Sequence, residues 1–119
     1  MKKILIIDDE PGMRAWVSAV LKNADYETFE AEDGITGIEL AQAKLPDLIV
    51  CDVYMDNMNG FIVRQSLVED NTTASIPFIM MSGAADSVGA WDTDPDVDYL
   101  VKPFNANELL AAVRKKLPA

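Results

Sequence analysis

Apolar residues in this chain gather in five short runs separated by polar or helix-like stretches. Lys3 to Ile7 is rich in β-branched residues and predicts a first strand. Asp8-Asp9-Glu10-Pro11 ends that strand and opens a helix, with proline in its first turn. Met13, Trp16, Val17, Val20 and Leu21 follow at helical spacing and predict one apolar face. Tyr26 to Ala31 alternates and predicts a second strand. Asp33-Gly34 reads as a turn, and Ile35 to Lys44 as a second helix stopped by Pro46 and Asp47. Leu48 to Val53 is an apolar run of the kind expected for a central strand covered on both faces. Tyr54 to Gly60 reads as a polar loop and Phe61 to Glu69 as a third helix. Pro77 to Met81 predicts a fourth strand ending at Ser82-Gly83. Asp98 to Val101 predicts a short fifth, ending at Lys102-Pro103. Asn105 to Leu117 is the last helix. Asn105 and Glu108 have capping-box spacing, and Leu110, Val113 and Leu117 are the expected buried stripe. Between the last two strands, Ala84 to Val97 carries Gly89, Pro95, Asp86, Asp92, Asp94 and Asp96. It predicts at most a short helix before an acidic loop.

Strand–helix alternation of this kind implies right-handed crossovers and a parallel sheet with helices on both faces, a three-layer α/β fold. With 119 residues and no repeat or linker, the expectation is a single domain over residues 1–119. No apolar stretch is long enough to span a bilayer, and Met1-Lys2-Lys3 leads straight into the first strand. The reading is therefore of a cytoplasmic chain without membrane contact. The net charge of −10 repels nucleic-acid phosphates, so no direct nucleic-acid binding is expected. It suits a divalent cation or a basic partner surface. The absence of histidine excludes His-based triads, His metal sites and a phosphohistidine donor role. The single cysteine, Cys51, lies inside an apolar run and reads as a small core residue.

In a parallel sheet the carboxyl ends of the strands share an edge, and open α/β sheets bind ligands there. Asp8-Asp9, Asp52, Ser82 and Lys102 all fall at strand ends. Three carboxylates, a hydroxyl and an ammonium would converge, a set able to hold a divalent cation and accept a phosphoryl group. Taken alone, Asp8-Asp9 reads first as a solvated turn or a helix N-cap. Next to a third carboxylate the pair repels unless a cation joins it, and a hard ion with oxygen ligands such as Mg²⁺ would relieve that repulsion.

The order and context of these residues resemble the receiver domain of bacterial response regulators, over the whole chain. Asp52-Val53-Tyr54-Met55-Asp56-Asn57-Met58-Asn59-Gly60 is similar to that family's phosphoacceptor loop, and Lys102-Pro103 matches a hallmark pair whose peptide bond is expected to be cis. The resemblance implies a flavodoxin-like strand order 2-1-3-4-5, here with a short or irregular fourth helix. It implies that Asp52 is the nucleophile forming an aspartyl phosphate. Mg²⁺ would be held by Asp9, Asp52 and the backbone carbonyl of Tyr54, with Asp8 helping through water. Ser82 would bond a phosphoryl oxygen, and Lys102 would neutralise its charge. Tyr99 occupies the family's switch-aromatic position, following Ser82 when the phosphoryl group draws the hydroxyl inward. As a half-buried strand tyrosine it reads equally as packing.

The implied partners are a sensor histidine kinase or phosphotransfer protein and an unidentified downstream protein, with the chain a monomer or weak homodimer. Such a domain catalyses only its own phosphorylation and slow hydrolysis. Pro118-Ala119 follows the last helix directly, which fits either a single-domain regulator or a receiver from a larger protein. Two departures stand out. Asp56 replaces the proline that often follows the loop methionine, adding charge and loosening the loop. Tyr54 sits two past the nucleophile, where its ring would limit attacking water. The alternative within the family is a degenerate receiver acting as a phosphorylation-independent scaffold. A haloacid-dehalogenase-type phosphatase would need an aspartate where Tyr54 stands. A flavodoxin would need a hydroxyl- and glycine-rich loop where Asp8-Asp9-Glu10 stands.

Overall fold

The computed structural model describes residues 1–56, 58–83 and 96–118. Along the chain run β1 (Lys3–Ile7), α1 (Pro11–Asn23), β2 (Glu27–Ala31), α2 (Gly34–Lys44), β3 (Leu48–Asp52), α3 (Gly60–Glu69), β4 (Phe78–Gly83), β5 (Val97–Lys102) and α4 (Ala106–Lys116). The five strands form one parallel sheet in the order β2-β1-β3-β4-β5. This is the doubly wound, flavodoxin-like arrangement expected. The short or irregular fourth helix anticipated between Ser82 and Lys102 falls on residues 84–95, outside those described.

Side chains alternate across a strand, so each central strand feeds two cores. Leu5, Ile7, Ile49, Cys51, Phe78 and Met80 point to one face and meet Ala41 of α2 and Val63 and Leu67 of α3. Ile4, Ile6, Leu48, Val50, Ile79 and Met81 point to the other and meet Val17 and Leu21 of α1 and Leu109 and Val113 of α4. All five residues of β3 are buried, which accounts for its unbroken apolar run.

Several local expectations shift. On α1 it is Ser18, not Trp16, that joins Val17 and Leu21 inside. The Ser18 hydroxyl bonds Thr28 at 2.8 Å and so can be buried, while Trp16 stays 38% exposed and leans on Phe104, ring centroids 5.9 Å apart. Asp33 is not a turn residue but the N-cap of α2, its carboxylate accepting from the Thr36 N–H at 2.7 Å. On α4 the buried pair is Leu109 and Val113. Leu110 and Leu117 flank it, half-buried. The capping box at Asn105 and Glu108 is complete, with both reciprocal bonds formed. β4 runs through Ser82 and Gly83 and β5 through Lys102, so these residues close their strands as expected. No helix among the described residues is long and apolar enough to cross a membrane.

Candidate functional site

The site lies at the carboxyl edge of the sheet. β1 delivers Asp8 and Asp9, β3 ends on Asp52, β4 carries Ser82, and β5 ends on Lys102. The register fixes their proximity: Asp52 pairs with Met81, and Ser82 with Val101. One carboxylate oxygen from each of Asp8, Asp9 and Asp52 lies within 4.8 Å of the others. Lys102 Nζ donates to Asp52 Oδ1 at 2.9 Å, closing the cluster from the β5 side. The Lys102–Pro103 peptide bond is cis, as expected.

Asp8 is not the solvated turn acid that its position alone allows: it is fully buried. Its Oδ1 accepts from the Glu10 N–H at 2.9 Å, whereas its Oδ2 has no hydrogen-bond partner among the described residues. Burial raises the Asp8 carboxyl to about 6, with the charges of Asp52 and Asp9 adding to the effect and the Glu10 N–H and Lys102 opposing it. Burial likewise pushes the Asp52 carboxyl up, against the hydrogen bond and charge of Lys102. Both side chains thus hold their charge at a cost. A buried carboxylate with an orphaned oxygen, clustered with two further carboxylates, is the donor set that a hard divalent cation satisfies. The residues present therefore fit Mg²⁺.

Ser82 is buried at the end of β4. Tyr99, on the neighbouring strand, is half-buried against the core cluster shared with α2 and α3. Tyr54 projects its ring into solvent beside the cluster's loop. Cys51 is fully buried and its thiol is pushed well up by burial, which leaves it a core residue.

Three features were not anticipated. Arg14, one turn into α1, donates from a terminal nitrogen to the Asp8 carbonyl at 2.7 Å and pairs with Glu30 at 3.3 Å, bracing the acidic loop from behind. Its sequence signal is an arginine one turn into a helix that opens on an acidic pair. Gly60 lets α3 begin against the site: a Cβ there would stand 2.6 Å from the Asp52 carbonyl oxygen and 2.6 Å from Met80 Sδ. The Asp56 N–H bonds Asp9 Oδ2 at 3.2 Å, a contact no side-chain motif announces.

The fold is a doubly wound parallel sheet with an acidic cluster at its carboxyl edge. The family model for the response regulator receiver domain matches residues 4–114, and the chain belongs to that family. It is 42% identical to the DNA-binding dual master transcriptional regulator RpaA of Synechocystis, over 98% of this chain and 49% of that protein. It is 31% identical to protein PilH of Pseudomonas aeruginosa, over 98% of both. The chain spans about half the length of the first of these relatives. Among solved structures, the chemotaxis response regulator CheY4 of Vibrio cholerae superposes with a TM-score of 0.89 at 30% identity, covering 98% of each chain. Receiver domains are signalling domains, not metabolic enzymes. They accept phosphoryl groups from histidine kinases and generally bind Mg²⁺ at an acidic pocket.

Proposed function

We propose that this chain is a phosphorylatable switch in which Asp52 accepts the phosphoryl group and Asp8, Asp9, Asp52 and the Tyr54 backbone carbonyl hold Mg²⁺. The observation that carries the reading is the Asp52 carboxylate, at the tip of the most buried strand, with the Lys102 ammonium 2.9 Å from one oxygen and two further carboxylates beside it. An Asp52 oxygen attacks phosphorus as the P–N bond of a donor phosphohistidine breaks. The imidazole leaves with the electron pair, and the product is an aspartyl phosphate. Bound Mg²⁺ would neutralise phosphoryl charge that three carboxylates would otherwise repel. Lys102 moves from the carboxylate to a phosphoryl oxygen as a compact point charge. Phosphoryl transfer needs chiefly such positioning and charge stabilisation, and this set supplies both. Hydrolysis reverses the state: water attacks phosphorus, the bond to Asp52 breaks, and the carboxylate returns with inorganic phosphate.

Ser82 and Tyr99 carry the signal outward in this reading. The phosphoryl group draws the Ser82 hydroxyl in, and the Tyr99 ring follows, so two surfaces of one domain exchange population. The donor is a sensor histidine kinase or phosphotransfer protein in the cytoplasm. The recipient is a downstream protein contacted by the altered face, with the chain monomeric or weakly dimeric. No nucleic acid or membrane is contacted directly, in keeping with the charge of −10. The test is intact-mass analysis after incubation with acetyl phosphate. A gain of one phosphoryl group that requires Mg²⁺ and is lost in Asp52→Ala is expected; an unmodified but folded, Mg²⁺-binding wild type would overturn the reading.

A further inference from the structure

The loop that follows Asp52 is pinned at several points. The Gly60 N–H bonds the Val53 carbonyl at 2.8 Å, closing the loop on itself, and the Asn59 side chain caps α3 through the Ile62 N–H at 3.0 Å. Met58 packs against the core and its N–H bonds the Asp56 carbonyl at 2.7 Å. The Asp56 carbonyl is thereby engaged, and the Asp56 N–H reaches across 47 positions of sequence to Asp9 Oδ2 at 3.2 Å. One oxygen of Asp9 is thus engaged by an N–H that the β3–α3 loop presents, beside the cluster it forms with Asp8 and Asp52. The Asp56 residue as a whole is exposed, so its own carboxylate is free to stay in water.

We propose that Asp56 is a positioning residue for the cation site, acting through its backbone N–H on Asp9 and not through its carboxylate. This rests on the acidic cluster's being a Mg²⁺ site. Partners that orient a metal-ligating carboxylate govern metal affinity strongly, and their loss costs on the order of 10- to 100-fold. A proline at this position has no N–H and cannot make the bond. Instead of loosening the loop, as the absence of proline alone suggests, Asp56 gives it a tie to the acidic pair, so the loop and the cation occupy one thermodynamic unit.

The experiment is calorimetric titration of the full chain with MgCl₂ for wild type, Asp56→Pro and Asp56→Ala. Asp56→Pro should weaken binding about tenfold. Asp56→Ala keeps the N–H and should stay within about threefold, the effect of one exposed charge. If Asp56→Ala is as weak as Asp56→Pro, or if neither differs from wild type, the proposal is wrong while the Mg²⁺ site stands. A wild type that takes up no Mg²⁺ removes both. Should Asp56→Pro not fold, amide exchange decides. The Asp56 amide should exchange at least about tenfold faster in Asp9→Ala than in wild type, as loss of a hydrogen bond to a charged acceptor requires; any smaller change overturns the proposal.

Discussion

Asp8→Asn tests the electrostatic reading of the site without any phosphoryl donor. Folding moves the Asp8 carboxyl from 3.8 to about 6 because the side chain leaves water. The folded state therefore binds this proton more tightly than the unfolded chain. Stability from Asp8 is fully present below about pH 4 and is lost as pH rises through about 6. At pH 7.5, without metal, a shift of about two units corresponds to about 3 kcal/mol of strain. Asparagine removes the charge, and its carbonyl can still accept from the Glu10 N–H. Its NH₂ takes the place of the orphaned Oδ2, in a cluster with two carboxylates that can accept. Allowing about 1 kcal/mol for imperfect pairing of that buried amide leaves a gain of about 2 kcal/mol. In a domain this size that raises Tm by about 8 °C. Thermal melts in EDTA and in MgCl₂, at pH 4.5 and 7.5, are the assay. The variant should melt higher than wild type at pH 7.5 in EDTA, and the difference should shrink at pH 4.5. Mg²⁺ should raise wild type, by about 2.7 kcal/mol at a hundredfold excess over Kd, and the variant much less. A variant melting at or below wild type in EDTA at pH 7.5 would refute the claim that buried, repelling carboxylates are held in readiness for a cation.

Three further outcomes follow from particular contacts. Gly60→Ala forces a Cβ against the Asp52 carbonyl and Met80 Sδ, and should cost about 1–3 kcal/mol in urea unfolding; an unchanged midpoint would show that α3 can slide away from the site. Asn105→Ala removes one arm of the α4 capping box and should lower stability by about 1 kcal/mol, measured the same way. Tyr54→Asn clears the exposed ring two residues past Asp52 and should speed loss of the phosphoryl group; an unchanged dephosphorylation rate would mean the ring does not screen water.

The strand ends were legible because burial on both faces leaves a strong trace: β3 is apolar until its last residue, Asp52. The order of the sheet came from resemblance, since alternation alone admits other windings. Sequence placed Asp8, Asp9, Asp52, Ser82 and Lys102 at one edge, and the structure brings Asp8, Asp9, Asp52 and Lys102 within reach of one another. Finer detail was hidden where polarity and burial part company. Ser18 looks like a surface residue, yet Thr28 satisfies its hydroxyl inside. Trp16 looks like core, yet the groove between α1 and the Pro103-Phe104 turn leaves it half in solvent. Asp33 reads as a turn because an N-cap and a turn use the same residue types. The Asp56 tie was invisible because a backbone N–H carries no side-chain signature, and the Arg14 brace because a helix-face arginine is usually solvated.

The central claim is that phosphorus is carried on Asp52 and not on its acidic neighbours. Borohydride reduces an acyl phosphate to the alcohol, so brief exposure to acetyl phosphate and Mg²⁺ followed by reduction and peptide sequencing by mass spectrometry locates the bond. The account predicts homoserine at position 52 and unaltered aspartate at positions 8 and 9. Reduction at position 8 or 9 would contradict the assignment of the nucleophile. No reduction at any position in a folded, Mg²⁺-bound chain would contradict the switch itself and favour a phosphorylation-independent scaffold.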